Sequence, residues 1–177
     1  MSINVHKITN YDQIIISQKS LVILDIDETI LKFEGIDYKW WENEKKENSQ
    51  ENVYNKWIKY VTNNDPILLD QYQLFQLIKT IEDTNSKLII VTARLEKNRE
   101  LTIQHLEKCQ IKIDSNYIYF TKQKGAIINN LITNEYVNYD NIIFVDDLES
   151  NIIDVSFSLI NIKDKSIDLY KITHINL

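Results

Sequence analysis

The stretch Leu21-Val22-Ile23-Leu24-Asp25-Ile26-Asp27-Glu28-Thr29 decides the fold of this chain. Four apolar residues run without alternation into two aspartates that are separated by one residue. An unbroken apolar run of this length is typical of a strand that is buried on both faces of a parallel sheet. The stretch therefore predicts a central strand that delivers two carboxylates to one edge of the sheet.

Two later stretches have the same design. Residues 88–91 are apolar and lead into Thr92-Ala93-Arg94, and residues 142–145 are apolar and lead into Asp146-Asp147. Ligands of open α/β sheets bind outside the carboxyl ends of the strands, so polar groups that follow three parallel strands can converge on one crevice. We expect the active site to lie in that crevice.

Apolar residues recur at helical spacing around residues 74–81, 96–108 and 127–132. Strands that alternate with helices require crossover connections and indicate a mostly parallel sheet. The sequence thus predicts an α/β fold with a doubly wound, Rossmann-like sheet and helices on both faces. We further expect residues 3–18 to form an extended piece and a helical turn around residues 14–16, packing beside the first core strand, and we expect an edge strand near residues 168–172.

The segment from residue 37 to residue 66 interrupts this pattern. It contains all three tryptophans of the chain, which are Trp40, Trp41 and Trp57. Its second half has apolar residues at helical spacing, and inserts of this size are commonly lids or binding structures. We expect residues 37–66 to form a small helical cap, with residues 1–36 and 67–177 forming the core domain. The cap aromatics either bind substrate or anchor the cap to the core.

Composition limits the class of protein. The chain has 177 residues, of which 44% are hydrophobic, a net charge of −6 and a pI near 5.1. This length suits one compact domain with one modest insertion, and the acidic balance argues against general nucleic-acid binding. Cys109 is the only cysteine, which excludes an intramolecular disulfide and a cysteine-built zinc site. We expect its thiol to be buried.

Sequence patterns also bear on location. The longest apolar runs are strand-sized, so we predict no membrane span. Residues 1–20 carry scattered polar side chains and lack the unbroken apolar core of a secretory signal. We therefore expect a cytoplasmic protein, either of a cell or of an infected host cell.

Four aspartates follow the predicted strands, namely Asp25, Asp27, Asp146 and Asp147. Clustered carboxylates repel one another unless a cation joins them, so this cluster predicts a metal. Hard oxygen ligands without His or Cys favour Mg²⁺, which typically recruits phosphate oxygens as further ligands. The hydroxyl of Thr92 and the ammonium of Lys124 suit the remaining phosphate oxygens.

These positions resemble the four motifs of the haloacid dehalogenase (HAD) superfamily. The matching residues are Asp25-Ile-Asp27-Glu-Thr29, Thr92 after an apolar strand, Lys124 before a helix, and Asp146-Asp147 after another strand. Their order, apolar lead-ins and spacing match across residues 21–151. Asp-Ile-Asp-Glu-Thr and Thr-Ala-Arg also resemble class C acid phosphatases, whereas Lys124-Gly125 and Phe-Val-Asp-Asp resemble an uncharacterised HAD family of bacteria and large viruses.

The resemblance implies a role for each motif residue. Asp25 would be the nucleophile that forms an aspartyl-phosphate, and Asp27 would be the general acid and base. Mg²⁺ would be held by the carboxylate of Asp25, the backbone carbonyl of Asp27, Asp146 and Asp147. The phosphoryl group would be bound by Thr92, Ala93 and Lys124.

Three assignments have alternatives. Lys122 competes with Lys124, which we prefer because Gly125 and a helix follow it and would leave free backbone N–H groups facing the site. Arg94 either helps to bind substrate or forms a salt bridge with a nearby acid. Asn151 either orients the acidic loop or caps a helix.

The favoured function is a Mg²⁺-dependent phosphomonoester hydrolase that acts on a phosphorylated small molecule, nucleotide or phosphopeptide. Asp27 favours hydrolysis, because superfamily members without a proton relay at this position tend not to be phosphatases. The alternatives are a catalytically silent HAD-fold binding module and a phosphotransferase. The pattern predicts no particular oligomeric state.

Overall fold

The computed structural model describes residues 3–174. The strands within this range are, in chain order, β1 (Ile3–Ile8), β2 (Ser20–Leu24), β3 (Leu31–Lys32), β4 (Ile67–Leu68), β5 (Lys87–Thr92), β6 (Ile118–Phe120), β7 (Asn141–Asp146) and β8 (Ser166–Ile172). Strands β3 and β4 form a small antiparallel ribbon. The other strands form one six-stranded parallel sheet in the order β1-β8-β7-β2-β5-β6.

The helices in the same range are α1 (Tyr38–Glu47), α2 (Gln50–Thr62), α3 (Gln71–Asp83), α4 (Arg99–Lys108), α5 (Lys124–Asn130) and α6 (Glu149–Leu159). Short 3₁₀ turns at Tyr11–Gln13, Glu96–Asn98 and Ser115–Tyr117 and a π-helical turn at Leu131–Glu135 complete the helical structure of this range. No helix of residues 3–174 is long and apolar enough to cross a membrane.

Different helices cover the two faces of the sheet. Side chains alternate along β2, so Val22 and Leu24 join one core while Leu21 and Ile23 join another. Helices α3 and α4 contribute to the first core, which also holds the buried thiol of Cys109, and α5 and α6 contribute to the second. Burial on both faces explains why the core strands lack polar alternation. The predicted α/β sheet with helices on both faces is confirmed.

Three predictions about the ends of the chain are wrong. Strand β8 is not an edge strand, because it pairs with β7 on one side and with β1 on the other. The N-terminal piece forms the edge instead, with Ile3 opposite Ile167, and β8 and β7 separate it from β2. The helical turn lies at Tyr11–Gln13 rather than around residues 14–16. The alternation of polar and apolar residues in β8 suggests an edge strand, but β1 pairs with its outer side.

Residues 37–66, which we call the cap segment, contain α1 and α2. Asp37 caps α1 by accepting a hydrogen bond from the backbone N–H of Trp40 at 2.7 Å, and Ser49 caps α2 in the same way. One face of α2 is buried through residues spaced four apart, which are Val53, Trp57 and Val61. The ribbon of β3 and β4 carries the chain into and out of this segment.

Candidate active site

The carboxyl ends of β2, β5 and β7 meet at one edge of the sheet. Strand β2 pairs with β5 on one side and with β7 on the other. The backbone N–H of Asp25 continues this pairing by donating to the carbonyl oxygen of Val145 at 3.1 Å. Because the chain first winds from β2 towards β5 and later returns to β7, the direction of winding changes at β2. Open α/β sheets bind ligands at such a switch point.

Lys124 joins the aspartate that follows β2 to the aspartate that ends β7. Its Nζ atom lies 2.5 Å from Oδ1 of Asp25 and 2.6 Å from Oδ2 of Asp146. All three side chains are buried. The ammonium of Lys124 therefore compensates part of the negative charge of the two carboxylates. Removal of the lysine, or of both aspartates, would leave unpaired charge in the core.

The two candidate lysines have different environments. Lys122 is exposed, whereas Lys124 is the buried first residue of α5. The prediction that free backbone N–H groups face the site is wrong at Gly125, whose N–H donates to Oδ2 of Asp154 at 2.8 Å. Gly125 has a packing role, since a Cβ atom there would lie 2.6 Å from the carbonyl oxygen of Asp154. The close approach of α5 to α6 thus brings Lys124 to the site.

Three carboxylates are arranged so that they can hold a metal ion. Asp25, Asp146 and Asp147 each offer an oxygen, and these oxygens lie within 4.8 Å of one another. Asn151 orients this loop, because its Nδ2 atom donates to both oxygens of Asp146 at 2.9 and 3.0 Å. Thr29, which belongs to the motif after β2, also holds this loop, because its Oγ1 atom accepts a hydrogen bond from the backbone N–H of Asp147 at 3.1 Å. The donors are all oxygen, which fits a hard divalent cation.

Burial raises the pKa values of two carboxyls in this cluster. The pKa of Asp25 is raised to about 7, mainly by burial. Lys124 lowers this pKa, and the carboxylates of Asp146 and Asp27 raise it again. Burial also raises the pKa of Asp147 to about 8, with further contributions from Asp25 and Asp146. Burial alone would lower the pKa of Lys124, but the two neighbouring carboxylates raise it above its ordinary value. One ammonium faces three carboxylates, so a divalent cation would relieve the remaining repulsion.

Asp27 is held by Arg94. The Nε and Nη2 atoms of Arg94 donate to the two carboxylate oxygens of Asp27 at 2.8 and 2.6 Å, which makes a bidentate pair. The Arg94 side chain is buried, whereas 35% of the Asp27 side chain is exposed. Of the two roles considered for Arg94, the geometry shows the salt bridge, and its partner acid is Asp27.

Thr92 and Ala93 follow β5 at the same edge. Thr92 is buried, and its Oγ1 atom accepts a hydrogen bond from the backbone N–H of Arg94 at 3.2 Å. Ala93 is exposed and lines the cavity above the site. Because β5 pairs directly with β2, both residues lie beside the strand that leads into Asp25. A phosphoryl group bound to Asp25 would need hydrogen-bond donors at this place.

A cavity of about 320 Å³ lies between the charged cluster and the cap segment. Its core side includes Asp25 and Asp27, and the cap contributes four aromatic side chains, which are Tyr38, Trp41, Tyr54 and Trp57. Trp40 is not among the lining residues and packs edge-on against Trp41, with ring centroids 5.3 Å apart. The three tryptophans therefore have different environments.

Tyr54 shows that a cap aromatic can both line the cavity and anchor the cap. Its hydroxyl oxygen accepts hydrogen bonds from the backbone N–H of Leu95 at 3.1 Å and from Nδ2 of Asn98 at 2.8 Å. These contacts attach α2 to the loop after β5. Anchoring of the cap is thus observed for Tyr54, and substrate binding by the cap aromatics stays a prediction.

Sequence reasoning gave no role to His105, Lys45 or Gln50. Lys45 and Gln50 line the cavity from the cap segment, and His105 contacts Arg94 from α4. A lone histidine on a helix carries no local signal of function. Thr102, three residues earlier on α4, contacts the same guanidinium as His105. This spacing indicates a shared role only once α4 is seen to lie beside the end of β5.

The parallel sheet, the aspartates at the carboxyl ends of β2 and β7 and the buried lysine between them match the pattern of an α/β phosphatase of the HAD superfamily. The chain belongs to the acid phosphatase family of HAD superfamily subfamily IIIB, whose model matches residues 1–155. This membership confirms the predicted superfamily and the predicted enzyme class. Among curated proteins, no significant match to the chain was found.

Solved structures support the fold. The class C acid phosphatase from Bacillus anthracis is 17% identical, with a TM-score of 0.53 over 88% of this chain and 68% of that chain. The HAD domain of effector protein Lem4 from Legionella pneumophila is 15% identical, with a TM-score of 0.54 over 89% and 86%. Effector Ceg4 from the same organism is 12% identical, with a TM-score of 0.54 over 93% and 91%. At these identities the likeness shows a shared fold.

Proposed function

We propose that this phosphatase hydrolyses phosphomonoesters with Mg²⁺ and through an aspartyl-phosphate on Asp25. One observation carries the proposal, which is the buried cluster of Lys124 with the carboxylates of Asp25, Asp146 and Asp147 beside a cavity. Buried charges are costly in a protein core. A binding module that uses only its surface would have no need to maintain them.

In the first half-reaction, the carboxylate of Asp25 attacks phosphorus, and the bond from phosphorus to the leaving oxygen breaks. The Arg94 pair favours the ionised form of Asp27, so Asp27 takes up a proton from solvent before this step. Asp27 donates that proton to the leaving oxygen, which departs as the alcohol. Asp27 suits this role because it lines the cavity two residues beyond the nucleophile. The ammonium of Lys124 offsets the negative charge of Asp25 and of the transferring group.

In the second half-reaction, water attacks the phosphorus of the aspartyl-phosphate. Asp27, now ionised, accepts a proton from that water. The bond between phosphorus and the Asp25 oxygen breaks, which releases phosphate and restores the free carboxylate. Asp27 is again protonated at the end of the cycle, so the protons balance.

The donor set fits Mg²⁺. The ion would be held by the backbone carbonyl of Asp27 and by three carboxylates, which are those of Asp25, Asp146 and Asp147. When bound, Mg²⁺ supplies positive charge that neutralises and orients phosphate oxygens. The remaining phosphate oxygens would contact Thr92, Ala93 and Lys124.

The cavity above the cluster suits a phosphorylated small molecule, and a nucleotide or phosphopeptide is the next class to test. Trp41 and Trp57 line the cavity on the cap side, where the leaving group of the substrate would lie. Their flat apolar faces favour a leaving group with an aromatic or apolar portion. A panel of phosphorylated metabolites, nucleotides and phosphopeptides ranks these classes by kcat/KM.

Hydrolysis of p-nitrophenyl phosphate tests the proposal directly. We expect turnover by the native chain with Mg²⁺, loss of turnover on chelation and restoration by added Mg²⁺. Asp25→Asn should abolish turnover, whereas Asp12→Asn, at an exposed position on the 3₁₀ turn after β1, should retain it. Equal rates for the native chain and Asp25→Asn would reject the assigned nucleophile.

Two further measurements address the alternative functions. A silent binding module would form no beryllium fluoride adduct on Asp25, whereas a competent nucleophile should form one in the presence of Mg²⁺. A phosphotransferase would release less phosphate than p-nitrophenol when an acceptor alcohol is added. We expect the adduct to form and the two products to appear in equal amounts.

A further inference from the structure

A hydrogen-bonded chain runs from the partly exposed Asp27 through buried side chains to the cap segment. Arg94 binds both carboxylate oxygens of Asp27, and its Nη1 atom lies 3.1 Å from Nδ1 of His105. On the other side of the imidazole, Nε2 lies 3.1 Å from the carbonyl oxygen of Val61. We call these four residues the Asp27 chain.

The partners of His105 determine the state of its ring. The guanidinium of Arg94 can only donate, so Nδ1 must accept. The carbonyl of Val61 can only accept, so Nε2 must carry the hydrogen. Burial and the nearby Arg94 lower the pKa of His105 to about 4, which keeps this neutral tautomer near neutral pH. Rotation of the ring would break both hydrogen bonds.

The cap helix α2 contacts the Asp27 chain at two places. Val61 lies in the last turn of α2, where carbonyl groups lack helical partners and His105 supplies one. Trp57, one turn earlier on α2, has its ring centroid 5.3 Å from Cζ of Arg94. The position of Arg94 therefore depends on the position of the cap helix.

We propose that His105 is a positioning residue which, through Arg94, fixes the Asp27 carboxyl for proton transfer and ties it to cap helix α2. This inference rests on the proposed role of Asp27 as general acid. Asp27 needs such support because 35% of its side chain is exposed, whereas the Arg94 and His105 side chains are buried. Partners that are locked by packing hold a functional group more precisely than exposed ones.

The competing explanation is that His105 only stabilises the fold. Its ring also packs edge-on against Phe33, with centroids 5.1 Å apart. Loss of a purely structural side chain would change activity equally for all substrates. If His105 positions the general acid, the loss of activity on its removal would depend on the leaving group. p-Nitrophenolate is stable enough to depart without a proton, whereas an alkyl leaving group must be protonated as it departs.

The comparison uses kcat/KM for glycerol phosphate and for p-nitrophenyl phosphate. This parameter covers the steps up to departure of the alcohol, so hydrolysis of the aspartyl-phosphate does not enter it. His105→Phe keeps a ring against Phe33 but removes both nitrogens. We expect the decrease in kcat/KM of this variant to be on the order of 10-fold larger for glycerol phosphate than for p-nitrophenyl phosphate. His105→Leu serves the same purpose if the Phe variant does not fold.

Two controls accompany this variant. The amide of His105→Gln offers an acceptor for Arg94 and a donor for Val61, so it should restore most of the activity on glycerol phosphate. Leu106→Val, in the core beside His105 on α4, should lower the melting temperature and affect both substrates equally. Equal losses on the two substrates for His105→Phe would overturn the positioning role.

Asp27→Asn, measured in parallel, separates this inference from the proposed function. If Asp27→Asn discriminates between the two substrates and His105→Phe does not, His105 has no positioning role and the general acid stands. If Asp27→Asn itself shows no discrimination, the assigned general acid is rejected together with the role of His105. We expect both variants to discriminate, with the larger effect in Asp27→Asn.

Discussion

The Nζ atom of Lys124 lies 2.5 Å from Oδ1 of Asp25, although 99 positions separate the two residues in the chain. The contact joins the first residue of α5 to the residue that follows β2. Both side chains are buried, so neither charge is well hydrated. Each residue therefore depends on the other, in structure and in the proposed chemistry.

Replacement of this lysine should separate the two candidate lysines. We expect Lys124→Met to reduce kcat/KM by at least about 100-fold, because the charge that offsets Asp25 and the phosphoryl group is lost. Lys122→Met removes an exposed charge at the cavity and should reduce kcat/KM by less than about 10-fold. Steady-state kinetics on p-nitrophenyl phosphate give the comparison, and equal losses would argue against the assignment of Lys124.

Gly125 should be intolerant of a side chain. A Cβ atom there would lie 2.6 Å from the carbonyl oxygen of Asp154 and 2.2 Å from Oγ of Ser158, so Gly125→Ala must push α5 away from α6. We expect a loss of about 1–3 kcal/mol in the free energy of unfolding, together with reduced activity as Lys124 moves. Urea denaturation and p-nitrophenyl phosphate kinetics measure the two effects.

Gly35→Ala is the matched control for this change. A Cβ atom at Gly35 has nothing within 4 Å, but its φ of +71° is a left-handed conformation. We expect a cost of about 1–2 kcal/mol from the backbone alone, with kcat/KM unchanged. A normal kcat/KM in Gly125→Ala would show that Lys124 does not depend on the spacing of α5 and α6.

Asn151 should affect metal affinity more than stability. Its amide orients both oxygens of Asp146, and loss of a hydrogen bond that orients a metal ligand typically weakens binding by about 10–100-fold. In Asn151→Ala we expect the Mg²⁺ concentration for half-maximal activity to rise by that factor. The exposed Asn134 provides the control variant Asn134→Ala. An unchanged Mg²⁺ dependence in Asn151→Ala would contradict the proposed site.

His105 should make the stability of the fold depend on pH. Burial and Arg94 lower its pKa from 6.5 to about 4 in the folded state. Between these values the unfolded chain binds a proton that the folded chain does not, so the stabilisation is complete above pH 7 and declines as the pH falls towards 4. We expect a loss of about 2 kcal/mol between pH 7 and pH 5.

Other groups also titrate in this pH range. Their contribution to the unfolding free energy cancels when the value for His105→Phe is subtracted from the value for the native chain. The difference in unfolding free energy between the native chain and this variant should shrink by about 2 kcal/mol from pH 7 to pH 5. Urea denaturation at each pH provides the values. A difference that is independent of pH would mean that the imidazole is not held in its neutral form.

Trp41 and Trp40 should respond differently to truncation. Trp41 lines the cavity, whereas Trp40 packs against Trp41 without lining it. For the best substrate of the panel, we expect Trp41→Ala to raise KM by about 10-fold and Trp40→Ala to lower the melting temperature with little change in KM. The reverse pattern would place the substrate elsewhere in the cap segment.

The apolar runs and their polar ends were sufficient to predict the sheet and the central residues of the site. Leu21 to Leu24 is buried on both faces, as an unbroken apolar run requires, and its carboxyl end reaches the loop of Asp146. Local patterns work here because burial on two faces leaves no polar alternation within a strand. That Lys124 offsets the charge of Asp25 was implied by the resemblance to the HAD motifs, and the 2.5 Å contact between the two side chains agrees with it.

Partners that depend on the three-dimensional packing were not predictable in this way. The sequence leaves open which acid pairs with Arg94, gives no role to His105 and places β8 at an edge. In the structure, Arg94 binds Asp27, His105 joins both to Val61, and β1 covers β8. These contacts link residues that are far apart in the chain, so no spacing or periodicity encodes them.

The sequence by itself thus determined the α/β fold, the family motifs and the aspartates at the carboxyl ends of the strands, because each of these depends on local burial and chain order. Only the tertiary structure decided how Asp27 is held and what Gly125 is for. Both depend on side chains from separate elements, the first on α4 and the second on α6. Their contacts exist only after the helices have packed onto the sheet.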